Sequence, residues 1–216
     1  MKIVFQGDSV TDAGGRIKGA FSGLGSGYVA LTDRYLREKF PEMPLEIINR
    51  GISGNETSHL VARWQEDTLD LQPDILSLMI GINDIWHAYE NQDFPSDAYF
   101  EANLRQILTA TKEKTHAKII LLEPYALPND IFQTEVFRRE LGQKIDIIRK
   151  LAREFADAYV PLDGLLHAQL LHGLTYDAFT EEGVHPTPAG AEFIARACVS
   201  VLIPIIDAMK NASIEE

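Results

Sequence analysis

Apolar positions along the chain fall into two alternating patterns. Short runs with few polar breaks, Ile3-Val4-Phe5, Leu45 to Asn49, Asp74 to Ile80, Ala117 to Leu122 and Ala158 to Leu162, predict five β-strands. The third run has hardly a polar residue on either face, as expected for a parallel sheet covered by helices on both sides. Between the runs, apolar residues recur at three- and four-residue intervals. This spacing predicts helices over 26–40, 56–71, 96–115 and 132–155, the first with Val29, Leu31, Tyr35, Leu36 and Phe40 and a stop before Pro41. Thr187 followed by Pro188 caps and opens a final helix. Pro161 places the fifth strand at a sheet edge. Strand and helix alternating five times specify a flavodoxin-like three-layer α/β/α sandwich with a parallel sheet and right-handed crossovers, read as a single domain over residues 1–216.

Composition narrows the possible partners. The chain has 216 residues, 45% of them hydrophobic, enough for one substantial core. A formal net charge of -12 provides no basic footprint for nucleic acid or anionic lipid. Ala197 to Ala208 contains Ser200 and Pro204 and is shorter than the ~20 residues that span a bilayer, so it is expected to be a core helix. The single cysteine, Cys198, falls within it and is expected to be a buried thiol. No leader-like segment precedes the first strand, which points to the cytoplasm and away from a membrane partner. A homo-oligomer is left open.

The candidate chemistry lies in four polar blocks. Gly7-Asp8-Ser9-Val10-Thr11-Asp12, Gly51-Ile52-Ser53-Gly54-Asn55 and Gly81-Ile82-Asn83-Asp84 follow the first three strands, and Gly183-Val184-His185-Pro186 comes after the fifth. Ligands of doubly wound sheets bind beyond the carboxyl ends of the strands, where these blocks sit. A tight turn presents Ser9 at the sheet rim. A serine nucleophile needs a base and donors for the oxyanion it creates. Gly51 and Gly54 either bring backbone close to a ligand or form a plain turn. Asn83 can donate from an amide that cannot ionise, while Asp84 is placed to cap a helix over 85–89. The glycine-dense segment 13–27 lacks a Gly-Lys-Ser/Thr ending and reads as a mobile loop at the mouth of the site, not a phosphate cradle. His59, His87, His116, His167 and His172 show no metal-ligand spacing. The pair Arg138-Arg139 has acids interleaved around it and reads as a solvated helix face. Trp86, Tyr89, Tyr125, Tyr176 and Phe179 lie near strand ends or in the final loop, where a ring could stack on a ligand or serve as core or lid, with Trp86 and Tyr125 the substrate-binding candidates.

These four blocks, in this order, resemble the SGNH (GDSL-type) hydrolases, named for the serine, glycine, asparagine and histidine they share. The resemblance extends from residue 7 to 187. Gly51 to Asn55 and Ile80 to Trp86 are most similar to the branch of acetyl esterases acting on carbohydrate esters. It implies strand order 2-1-3-4-5 and an acyl-enzyme on Ser9, with His185 as base. It also implies an oxyanion hole of the Ser9 and Gly54 backbone amides and the Asn83 side chain, no metal or organic cofactor, and a small-molecule or oligosaccharide ester as substrate. The chain departs from the family at one point. Where the usual block is Asp-x-x-His, this sequence has Glu182, with Glu181, Asp177 or a backbone carbonyl as alternative partners for His185. Rival readings are a lipolytic esterase or thioesterase of the same family, a magnesium-dependent phosphotransfer enzyme using Asp8, and a non-catalytic flavodoxin-like binding domain.

Overall fold

Ile3, Val4 and Phe5 are fully buried because their strand, β1 (Lys2–Gly7), has a neighbour on each side and helices above and below. The structure, a computed structural model, describes residues 1–17, 20–21 and 23–215. After β1 the elements are α1 (Ser9–Asp12), β2 (Arg16–Ile17), β3 (Ala20–Phe21), α2 (Tyr28–Lys39), β4 (Glu46–Gly51), α3 (Thr57–Trp64), β5 (Ile75–Met79) and α4 (Ile82–Asn91). There follow α5 (Asp97–Lys114), β6 (Lys118–Leu122), α6 (Glu135–Phe155), β7 (Ala158–Val160), α7 (Leu162–Leu170) and α8 (Pro188–Glu215). The main sheet is parallel in the order β4-β1-β5-β6-β7, which is 2-1-3-4-5 when its own strands are counted. β7 forms an edge, as expected, but ends at Val160, so Pro161 lies outside it.

The two-residue period of the strands divides the core in two. Ile3, Phe5, Ile75, Met79, Ile120 and Leu122 pack on the side of α2 and α8, with Tyr28, Leu36, Ile194 and Leu202. Val4, Leu76, Leu78, Ile119 and Leu121 pack on the opposite side against Leu60, Trp64, Phe100 and Leu104 of α3 and α5. α8 is longer than its apolar centre predicts: Pro188–Ala212 is long and apolar enough to cross a membrane by length and composition alone. In the fold, however, its Ile194, Ala195, Cys198, Leu202 and Ile206 form a stripe buried on the core. Burial pushes the Cys198 thiol up to about 12, so it is a packing residue.

Several local expectations are corrected. The helix predicted over 56–71 is α-helical only to Trp64 and continues as a π turn over Gln65–Leu69. The predicted start at Phe132 is a 3₁₀ turn, Asp130–Gln133, and Thr134 caps α6 by accepting from Phe137 N. α7 had no counterpart in the sequence reading. Asp84 does not cap a helix over 85–89, because α4 begins at Ile82 behind Gly81. Segment 13–27, expected to be a loop, carries the short antiparallel pair β2 and β3, and Lys18, Gly19 and Ser22 lie outside the described residues.

Candidate active site

Ser9 is the first residue of α1, which begins where β1 stops. Asp8 caps this short helix, its Oδ1 accepting from Val10 N at 3.0 Å, and Ser9 is left half-buried on the sheet rim. His185 Nε2 lies 2.9 Å from Ser9 Oγ, joining residues 176 positions apart. The other ring nitrogen, Nδ1, meets Glu182 Oε1 at 2.7 Å, and the same oxygen accepts from His185 N at 2.9 Å. The geometry therefore selects Glu182 from the candidate acids. Glu181 is exposed, and Asp177 is bonded to Thr175.

The electrostatics suit proton transfer. Partial burial pushes the Glu182 carboxyl up, but hydrogen bonds from the His185 side chain and backbone outweigh it, and the net shift is downward. An ionised Glu182 accepts a proton-bearing Nδ1, which turns the lone pair of Nε2 toward the Ser9 hydroxyl. The bond to Glu182 in turn raises the pKa of His185 against a smaller opposing effect of burial. Asp8, the rival nucleophile, is only 1% exposed, and burial pushes its carboxyl up to about 7. A carboxylate hidden under its own helix cap cannot reach a phosphoryl group, so this geometry gives the phosphotransfer reading no support.

The first three blocks are tied to one another. Ile52 N donates to Gly7 O at 3.1 Å, and Asp12 Oδ2 accepts from Ser53 N (3.2 Å) and Ser53 Oγ (2.9 Å). Asn83 Nδ2 donates to Asn55 O at 3.0 Å, leaving its second proton available. Between these ties Gly54 has φ +79°, with no atom within 4 Å of where a Cβ would be. It is required there by backbone conformation rather than by crowding. Asp84, at the start of α4, reaches across to α3, taking hydrogen bonds from Thr57 N and Oγ1. Burial raises its pKa to about 6 against those bonds.

The His185 loop is held from below by the segment after β6. Tyr125 Oη donates to Val184 O at 2.7 Å, Asn129 Nδ2 to Glu182 O at 2.9 Å, and Leu127 N to Gly183 O at 2.7 Å. Gly183, at φ +116°, leaves no room for a Cβ, which would lie 2.5 Å from the Phe132 ring. Tyr125 is thus misassigned as a substrate platform: it is 2% exposed and supports the His185 loop. Phe179 is buried against Phe193, and Tyr89 packs on Phe137. Trp86 remains at the site, its ring centroid 6.0 Å from that of His185 and set edge-on to Phe132. Arg138 is not a solvated charge either, since it is half-buried and pairs with Asp163 at 3.0 Å. Asn129 and the supporting roles of Asp12 and Tyr125 were missed in the sequence. The available signal was position: Asp12 closes the first polar block, and Tyr125 lies just beyond β6.

Residues 5–193 match the GDSL-like lipase/acylhydrolase family. An acetylxylan esterase of Geobacillus stearothermophilus is 34% identical over 204 residues, 91% of each chain. The crystal structure of that organism's acetylxylan esterase Axe2 superposes with a TM-score of 0.81 over 92% of both chains. An α/β hydrolase from the metagenome of Lake Arreo, Spain, is 33% identical with a TM-score of 0.81, covering 92% of this chain and 93% of its own. Solved catalytic mutants of Axe2 replace a serine, an aspartate and a histidine.

Proposed function

We propose that this chain, which belongs to the GDSL-like lipase/acylhydrolase family, removes acetyl groups from carbohydrate esters through an acyl-enzyme on Ser9. Family and relatives make it a carboxylic ester hydrolase, and the acetylxylan esterase supports the carbohydrate substrate. The observation that carries the mechanism is the unbroken contact from Ser9 Oγ through His185 to Glu182. Ser9 Oγ attacks the ester carbonyl as Nε2 of His185 takes its proton. The oxyanion accepts from the backbone N–H groups of Ser9 and Gly54 and from the second proton of the Asn83 amide. Collapse expels the sugar alkoxide, which takes the proton from the imidazolium. Water, deprotonated by Nε2, then releases acetate and restores Ser9. In Axe2 the mutated aspartate precedes the histidine by three residues, the spacing of Glu182 and His185 here.

A panel of kcat/KM values tests the substrate. Acetylated sugars and oligosaccharides are expected to be turned over well, and p-nitrophenyl acetate faster than the octanoate. Faster turnover of the octanoate at matched solubility would remove the carbohydrate assignment in favour of a lipolytic esterase. The pH profile tests the base. His185 must be neutral to accept a proton, so kcat/KM rises with pH through its pKa, and the Glu182 bond places that midpoint above the ordinary histidine value of 6.5. A midpoint below 6.5 contradicts the Glu182–His185 pairing.

A further inference from the structure

Beside Ser9 and His185 the surface opens into a cleft of about 490 Å³ between α2 and the start of α8. That volume lies within the ~300–1,000 Å³ typical of small-ligand sites. Part of its lining is apolar, from Val10, Leu31, Pro186 and Ala191, and part is charged, from Arg34 and Glu192. Glu192 is held in place by Arg196 Nε at 2.7 Å and by the Tyr35 hydroxyl. Arg34 is 54% exposed in its side chain and stands 3.6 Å from Glu192 and 4.0 Å from Glu38, both beyond hydrogen-bond length. Its N–H donors can therefore serve a ligand.

We propose that this cleft takes the alcohol half of the ester, a neutral polyhydroxylated chain extending beyond the sugar that carries the acetyl group. Arg34 donates to its hydroxyls and Glu192 accepts from them. The inference rests on the carbohydrate-ester reading and assigns that substrate a place. The chemistry selects among occupants. Arg34 already faces Glu38 and Glu192, and Glu181 also lines the cleft, an acidic excess that repels an anionic ligand. A fatty chain would cover the Arg34–Glu192 pair without offering it hydrogen bonds, which is costly. A sugar matches both parts of the lining, with its C–H faces on Leu31 and Pro186 and its hydroxyls on the charged pair.

The test compares kcat/KM for a disaccharide that carries one acetyl group and otherwise free hydroxyls with that for p-nitrophenyl acetate, in wild type, Arg34→Ala and Ser26→Trp. Ser26 is exposed on the cleft wall, so an indole there obstructs the cleft without entering the core. Both variants are expected to lower the disaccharide-to-p-nitrophenyl ratio about tenfold or more, the scale of a lost charge-assisted hydrogen bond. Thermal transitions verify that both variants fold. A wild type that cleaves the disaccharide while both variants keep its ratio overturns the cleft assignment alone. A wild type unable to cleave acetylated sugars ends the carbohydrate reading, and this assignment with it. Loss of octanoate turnover in Ser26→Trp, with the ratio unchanged, makes the cleft an acyl site and also overturns it.

Discussion

Ser9→Ala is expected to lower kcat for acetyl ester hydrolysis by about 10⁴-fold or more while moving the thermal transition by only about 2 °C. The methyl group cannot form the acyl-enzyme, and what activity remains comes from oxyanion donors acting on bound ester and water. Stability is largely spared because the hydroxyl's hydrogen bond is to His185, outside both halves of the core. Initial rates and a melting curve on the same preparation measure both. Wild-type turnover in the variant would end the serine mechanism altogether.

The second large effect is at Glu182. Glu182→Gln keeps the shape of the side chain but removes the charge that fixes the tautomer of His185 and stabilises the imidazolium, so kcat is expected to fall by about 10³–10⁴-fold. The pH midpoint of kcat/KM should fall as well, because the Glu182 bond is the main cause of the raised His185 pKa. Glu181→Gln should have a far smaller effect, since no contact joins Glu181 to the imidazole nitrogens. The reverse ranking would move the role to Glu181. If neither variant lost activity, Ser9 and His185 would be acting as a dyad.

What was legible in the sequence follows from how local each signal is. Runs such as Ile75 to Met79 announce buried strands because both faces of a covered parallel strand are apolar, and the first three polar blocks stand out because each follows such a run. α7 was hidden because it is short, carries Gly164 in its interior and turns Leu165 outward, which breaks the apolar period. The π turn after Trp64 has the same apolar spacing as a helix and cannot be told from one.

Roles that depend on pairs distant in the chain were not legible. Tyr125 and Val184 are 59 residues apart, and Asn129 and Glu182 are 53 apart. An aromatic residue near a strand end looks the same whether it faces the cleft or props up the loop behind it. Arg138 was misread for the same reason, because its partner Asp163 lies on α7, the helix that went unrecognised. At Glu182 the identity of the acid departed from the family pattern; the spacing favoured it over Glu181, and the 2.7 Å contact with His185 agrees.

The most direct test of the central claim is covalent labelling with a serine-directed fluorophosphonate, followed by mass-spectrometric peptide mapping. One adduct per chain is expected, on Ser9, with hydrolysis lost in proportion and labelling abolished in Ser9→Ala. An adduct on another residue, or full activity after stoichiometric labelling of Ser9, would contradict the account.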